Sequence, residues 1–143
     1  MDKLHLEIVT PEKLVYSDDV DMVVVPGSEG DLGILPHHIA LFTKIKPGEI
    51  KIKKGETEDY LAATGGFVDV SGDGNITILA DYAVKCDDIE IAQVQEAKKK
   101  AEEAMKEKRS ETDFALAESE LRKSILELKI AQRKRAPRNT TKL

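Results

Sequence analysis

The chain is poor in the residues that stabilise small secreted domains. It has a single cysteine, Cys86, so no disulfide can form within it, as is typical of proteins from reducing compartments. It has no tryptophan, and aromatic residues make up only 4% of the sequence, so its core must be largely aliphatic. With 41% hydrophobic residues in 143, the chain can form one sizeable domain and a small appendage.

Long apolar segments are also missing. No run approaches the ~18 residues that a membrane-spanning helix needs. No apolar segment follows a basic start, so no signal peptide is predicted. Any association with a membrane is therefore expected to occur through a partner.

Charge is distributed unevenly along the chain. Residues 1–86 carry 8 basic and 15 acidic side chains, a balance of −7, whereas residues 87–143 carry 14 and 12, a balance of +2. The two parts are thus suited to different surroundings. The basic segment Arg133–Arg138 suits an acidic protein surface better than nucleic acid, because the whole chain is acidic and the segment lacks aromatic residues.

Residues 1–86 have the pattern of short strands. Leu4, Leu6 and Ile8 alternate with other residues, and residues 49–53 alternate in the same way. Residues 20–26 are mostly apolar, which predicts one strand buried on both faces. Turn signals such as Pro47-Gly48 recur at roughly ten-residue spacing, which is typical of an antiparallel sandwich or barrel. We therefore predict a β-sandwich of about ten short strands.

Residues 87–143 have a helical pattern instead. Asp87 or Asp88 is expected to cap a first helix whose apolar stripe consists of Val94, Ala97, Ala101, Ala104 and Met105. After the capping residues 110–113, a second helix from about residue 113 to 132 has the stripe Phe114, Ala117, Leu121, Ile125 and Leu128. Such an alanine-rich antiparallel hairpin is expected to be marginally stable by itself and able to move between two positions.

A stretch rich in glycine, Gly27 to His38, follows the apolar segment. Its glycines permit tightly bent backbone, which predicts a shaped, ordered loop. Glu29 and Asp31 argue against phosphate binding, because carboxylates repel phosphate. The acids are either solvated turn residues or a contact surface presented to a partner.

This stretch, Gly-x-Glu-Gly-x-Leu-Gly-Ile-x-Pro-x-His, resembles the epsilon subunit of the F-type ATP synthase, in its bacterial forms. Matching motifs follow in the same order at residues 45–48, 64–70 and 78–81, and the resemblance covers residues 1–86 by motif and the remainder by architecture. It implies that the β-domain (1–86) binds the gamma subunit and the c-ring of the central stalk. The implied contacts are Glu29, Asp31 and His38.

The resemblance also implies a role for the helical hairpin (87–143), as a mobile inhibitor of ATP hydrolysis. Its basic residues would meet acidic segments of the catalytic alpha and beta subunits; by position and charge these are Arg122, Lys123, Arg133, Lys134 and Arg135. The subunit itself would be non-catalytic. It would lie peripherally at the cytoplasmic face of the bacterial plasma membrane.

Some epsilon subunits bind ATP through Ile-Asp-x-x-Arg-Ala at the start of the hairpin. Here Ile89 and Glu90 match loosely, and Gln93 replaces the arginine, which removes a charge-assisted contact to phosphate. On the second helix, Lys123 and Glu127 stand where the family has arginines. We therefore predict weak or absent ATP binding and no cofactor, with an ATP-sensing module as the alternative function.

Other chemistry is less well supported. Residues 69–80 mimic an EF-hand loop, but Ala80 stands where the bidentate glutamate belongs, so a hairpin turn is predicted. His37 and His38 lack clustered partner ligands, so no metal site is expected. No catalytic triad or carboxylate pair is readable, which argues against the second alternative, a β-sandwich enzyme. Cys86 is expected to be an inert thiol.

Overall fold

The strand pattern of the first half is realised in a computed structural model, which describes residues 2–107 and 110–135, with side chains as far as Gln132. Ten strands form within this part of the chain: β1 Leu4–Val9, β2 Leu14–Val20, β3 Met22–Gly27, β4 Gly30–Ile34, β5 Leu41–Ile45, β6 Gly48–Lys54, β7 Thr57–Ala63, β8 Gly66–Val70, β9 Asn75–Ala80 and β10 Ala83–Lys85. They confirm the predicted β-sandwich.

The strands form one sheet in the order β10-β7-β6-β3-β5-β8-β9-β1-β2, with β4 paired to β3. Strand β2 also approaches β6 and β10, so the sheet folds over into two layers around one core. The core is aliphatic, as expected, and includes Leu4, Leu6, Ile8, Val23, Ile50, Leu61 and Ile78. All neighbouring strands among the described residues are antiparallel except β1 and β9, which run parallel. These two strands are far apart in sequence, so no hairpin fixes their direction.

The expected single strand over residues 20–26 is wrong. The chain breaks at Asp21, between β2 and β3. The Asp21 carboxylate accepts hydrogen bonds from the Lys3 ammonium at 2.5 Å and from the Gly55 amide at 2.6 Å. In β3, Val23 and Val25 are buried whereas Met22 and Val24 are only half-buried. One face of the strand is therefore partly exposed to solvent, and the strand is not buried on both faces as expected.

The hairpin also forms, as α1 Ile91–Glu107 and α2 Glu111–Arg135, which pack against each other. Ser110 caps α2, because its hydroxyl accepts a hydrogen bond from the Asp113 amide at 3.0 Å. The capping role expected of Asp87 or Asp88 is wrong: both lie in a 3₁₀ turn, Cys86–Asp88, ahead of α1. By backbone contacts, the chain divides into two compact units, Met1–Lys85 and Cys86–Leu143.

The predicted helix stripes are only partly buried. Val94 and Ala101 of α1 are buried, but Ala97 and Ala104 are exposed and line an open cleft of about 550 Å³ between the helices. On α2, Ala117 and Leu128 are buried as expected, whereas Ile125 is exposed. Small side chains fill little of the space between two helices, which leaves this hairpin thinly packed.

Candidate partner-binding surfaces

The glycine-rich stretch is a tight β-hairpin rather than a loop. Strands β3 and β4 pair from Val23 with Ile34 to Gly27 with Gly30, and Ser28 and Glu29 form the turn. Gly30 has a φ of 127°, a backbone conformation that residues other than glycine rarely adopt. At Gly27, a Cβ would lie 2.8 Å from the Gly30 carbonyl oxygen. Both glycines are therefore required by the turn, which makes its tip a rigid element.

The two predicted contact acids lie together at this tip. Glu29 occupies the turn and Asp31 is the second residue of β4, and both side chains are exposed. Neither carboxylate forms an ion pair with any residue that the structure describes. They are therefore free to meet basic groups of a partner.

His38 lies apart from this tip, between β4 and β5. It is half-buried, and its Nδ1 atom lies 2.7 Å from the carbonyl oxygen of Ile39, which can only accept, so Nδ1 carries the proton. The neighbouring His37 has the unusual backbone, with a φ of 71°, and its Nε2 atom lies 2.5 Å from an Asp2 carboxylate oxygen. Within the described residues no hydrogen bond joins His38 to Glu29 or Asp31.

A second surface was missed by sequence reasoning. Phe42 on β5, Phe67 on β8 and Leu79 on β9 project from the outer side of neighbouring strands, with exposed fractions of 62%, 43% and 46%. The two phenylalanine rings stack with centroids 5.5 Å apart. Val9 on β1 is paired with Leu79 and extends the row. We call these four residues the apolar outer face.

The sequence contains a signal for this surface. In β8, Phe67 alternates with the buried Val68 and Val70, so apolar residues occupy both phases of one strand. A strand of that kind is either buried on both sides or exposes an apolar face, and periodicity alone does not distinguish the two cases.

The basic residues predicted to contact the catalytic subunits all belong to α2. Arg122 is exposed, and its guanidinium lies 3.2 Å from a carboxylate oxygen of Glu118, one helical turn earlier. Lys123 is half-buried. Arg133, Lys134 and Arg135 lie within the last turn of α2, but their side chains are outside the described residues, as is the whole of residues 136–138.

The predicted nucleotide residues do not form an open site in this structure. The Ile89 side chain is only 2% exposed, and its amide donates to the Cys86 carbonyl at 3.3 Å. Glu90 and Gln93 are exposed on either side of the start of α1. On α2, Glu127 is buried, so an acid occupies the position where resemblance would place a phosphate-binding arginine.

The EF-hand-like segment is the hairpin turn between β8 and β9, as predicted. The Asp73 carboxylate accepts hydrogen bonds from the Asn75 amide at 3.3 Å, from the Asn75 side chain at 3.1 Å and from the Ser71 hydroxyl. These bonds hold the pKa of Asp73 below its usual range. Among the described residues, no group of three or more histidine, cysteine or acidic side chains is arranged to hold a metal ion.

None of the helices within the described part of the chain is long and apolar enough to cross a bilayer. Cys86 is buried, and its thiol donates a hydrogen bond to the Ile130 carbonyl at 3.3 Å, within the same compact unit.

Known proteins share this arrangement of a β-sandwich followed by helices. Residues 3–86 match the family model "ATP synthase, Delta/Epsilon chain, beta-sandwich domain", and residues 87–132 match the long alpha-helix domain of the same chain. An ATP synthase epsilon chain from Dehalococcoides mccartyi is 44% identical over 94% of this chain and 96% of the relative. One from Halalkalibacterium halodurans is 43% identical over 93% of this chain and all of the relative.

Two solved structures share the fold at low identity. A chain in the Euglena gracilis mitochondrial ATP synthase, OSCP/F1/c-ring in rotational state 1, matches with a TM-score of 0.72 and 21% identity over 90% of this chain and 80% of that one. A chain in the central stalk and c-ring of the Tetrahymena thermophila mitochondrial ATP synthase matches with a TM-score of 0.60 and 18% identity over 91% and 97%. Both family models and the curated relatives cover nearly the whole sequence, and this chain therefore belongs to the ATP synthase delta/epsilon chain family, among its epsilon chains.

Proposed function

We propose that this chain is a rotor subunit that joins gamma to the c-ring in a proton-translocating F-type ATP synthase, and that its hairpin restrains ATP hydrolysis. As an epsilon chain it is a structural and regulatory subunit and not a catalytic one. Its partners would hold it peripherally at the cytoplasmic face of the bacterial plasma membrane.

The observation that carries the proposal is the apolar outer face. Adjacent strands expose three large apolar side chains to solvent, although the same strands contribute to the buried core on their other side. These side chains are Phe42, Phe67 and Leu79. Contiguous exposed apolar patches rimmed by polar residues mark protein-binding sites. Asp69 lies beside Phe42 in the strand register and supplies such a rim. We assign this face to gamma.

We assign the acidic tip to the c-ring. Glu29 and Asp31 are free carboxylates on a turn whose shape is set by Gly27 and Gly30. Rigid, unpaired charges contribute orientation and rapid association when they meet opposite charges on a partner. The c-ring loops that would contact this tip should therefore carry arginine or lysine. His38, half-buried between β4 and β5, would contact gamma or the c-ring apart from this tip.

For the hairpin we propose that α2 contacts the alpha and beta subunits. In the Arg122–Glu118 pair the arginine is exposed and the glutamate half-buried, so the pair contributes little to stability. Arg122 can therefore leave Glu118 for an acidic group of a partner at small cost. The thin alanine packing between α1 and α2 also allows the hairpin to rearrange. Lys123, Arg133, Lys134 and Arg135 would extend the same basic contact along α2.

The test is ATP hydrolysis by an epsilon-depleted catalytic complex, titrated with full-length protein, with a 1–86 truncation and with full-length Arg122→Glu. Full-length protein should bind and inhibit, the truncation should bind without inhibiting, and Arg122→Glu should inhibit less at equal occupancy. Gln132→Glu is a charge control farther along α2. Binding without inhibition by every form would remove the regulatory role, and failure of full-length protein to bind would remove the proposed partnership itself.

A further inference from the structure

The sheet has a seam where its two ends meet. Strand β2 is one end of the strand order and β10 is the other, and among the described residues no backbone ladder joins β2 to β10 or to β6. Strand β2 nevertheless approaches both of these strands. Its outer edge is therefore closed by something other than strand pairing. We call this gap, between β2 and strands β6 and β10, the β2 seam.

A carboxylate lies on the inner side of β2 at this seam. Asp18 pairs with the buried Leu6 of β1 in the strand register, so its side chain points to the core side of the sheet. Its neighbours on that side are the half-buried Tyr16 and the buried Val20. The Asp18 side chain is 42% exposed, because it lies in the gap and not in the core. Charges that point inward on an edge strand discourage pairing with another chain.

Two carboxylates bridge the seam. The Lys54 ammonium, at the end of β6, donates to the Asp18 carboxylate at 2.5 Å. Asp21, just after β2, accepts from the Gly55 amide at 2.6 Å and from the Lys3 ammonium at 2.5 Å. The two acids thus connect β2 and the segment before β1 with the turn that follows β6.

The contact toward β10 is of another kind. The Lys85 ammonium lies 5.8 Å from the centroid of the Tyr16 ring, close enough for a cation–π interaction. Burial raises the pKa of Tyr16 to about 12, and the charges of Asp18 and Asp59 add to this effect. The tyrosine is therefore neutral at ordinary pH, and the negative charges that hold the seam come from carboxylates.

Both bridging acids are stabilised in their charged form. The hydrogen bond from Lys54 is the main reason that the pKa of Asp18 lies below its usual range, and the bond from Lys3 does the same for Asp21. A lowered pKa means that the bridges are complete above about pH 4 and are lost as pH falls through the lowered values. The other charged side chains that face these groups are His5, Asp19, Lys53 and Asp59.

We propose that Lys3, Asp18, Asp21 and Lys54 form an ion-pair clasp that closes the β2 seam, and that its release lets β2 detach while the rest of the sandwich stays folded. Strand β2 pairs by its backbone with β1 alone among the described strands, so its other edge depends on these side chains. Exposed ion pairs are individually weak and are screened by salt. The seam is therefore the part of the closed sheet that opens most readily. The inference needs no partner of the chain.

Amide hydrogen exchange of the full-length protein at neutral pH tests the clasp. Asp18→Asn combined with Asp21→Asn removes both charges and keeps the size of each side chain. The β2 amides that bond to β1 should exchange at least fivefold faster in this variant, whereas amides of β5 and β8 should stay within twofold of wild type. Glu12→Gln is the matched control, because Glu12 is an exposed acid in the turn between β1 and β2, and it should leave β2 exchange within twofold of wild type.

Salt provides a second readout that needs no substitution. Sodium chloride at about 1 M shortens the screening length to about 3 Å. It should therefore speed β2 exchange in the wild type but not in the double variant, whose clasp is already uncharged. Unchanged β2 exchange in the variant, or the same salt effect in both proteins, would overturn the proposal. Equal acceleration of all strands would also overturn it, because that result shows general destabilisation and not an opening seam.

Discussion

Gly66→Ala should destabilise the sandwich severely, although it adds a single methyl group. The new Cβ would lie 1.9 Å from the Leu79 oxygen and 2.9 Å from the Ala80 Cα, and both are main-chain atoms of β9. Contacts under 3.0 Å are essentially never seen for real Cβ atoms. The clash cannot be relieved by a side-chain rotation, so the end of the β8–β9 ladder must open.

The magnitude follows from two contributions. Holding alanine at a φ of 148° costs about 1–3 kcal/mol in backbone strain. Opening the end of the ladder forfeits one or two main-chain hydrogen bonds at about 1 kcal/mol each. We therefore expect the free energy of unfolding to fall by about 2–5 kcal/mol, a large part of the 5–15 kcal/mol typical of a domain.

Urea denaturation followed by tyrosine fluorescence measures this loss of stability in the β-domain itself. All three tyrosines, Tyr16, Tyr60 and Tyr82, lie in the β-domain, and the chain has no tryptophan to obscure them. Gly33→Ala is the matched control, because no atom lies within 4 Å of its added Cβ and its φ is not positive. The control should stay within about 0.5 kcal/mol of wild type. Equal stability of the two alanine variants would refute the steric argument.

Three further predictions address the tip, a titrating pair and the nucleotide. In a reconstituted synthase, Glu29→Lys combined with Asp31→Lys should lower the ATP made per proton translocated, whereas unchanged coupling would remove the c-ring assignment. The Asp19 carboxylate, 2.9 Å from Nδ1 of His5, raises the pKa of His5 above its ordinary 6.5, so the extra stability of the β1–β2 pairing is full below about pH 6.5 and is lost as pH rises through the raised value. Histidine NMR titration checks this, and a His5 midpoint at or below 6.5 contradicts it. Calorimetry should detect no tight ATP binding to the isolated protein, since Gln93 supplies no guanidinium to phosphate; a micromolar dissociation constant would favour the ATP-sensing alternative.

Much of the fold was readable from local sequence. The alternation in residues 49–53 and the turn at Pro47-Gly48 correspond to β6 and its start, and Ser110 does cap α2. The acidic tip was also readable as an ordered, exposed element, because glycine spacing constrains a turn through the backbone of adjacent residues alone. The hydrophobic periods and turn signals of the sequence were enough to predict a β-sandwich followed by a helical hairpin, without tertiary information.

Some elements exist only because of a neighbour. Strand β10 has three residues and no periodic signal, and it forms by pairing with β7. The break at Asp21 depends on Lys3 and Gly55, which lie far along the chain. Asp87 and Asp88 carry the expected capping side chains, yet the chain closes a 3₁₀ turn there and α1 begins later.

The apolar outer face marks the boundary between the two kinds of information. The sequence by itself determined that Phe67 and Val68 are apolar and adjacent on one strand, and so must point to opposite sides. Only the pairing of β8 with β5 and β9, together with the fold of the sheet over its core, decided that Val68 is buried and Phe67 stands in water beside Phe42. Period and turn geometry are properties of neighbouring residues, whereas the choice of buried side is made by strands distant in sequence that close the core.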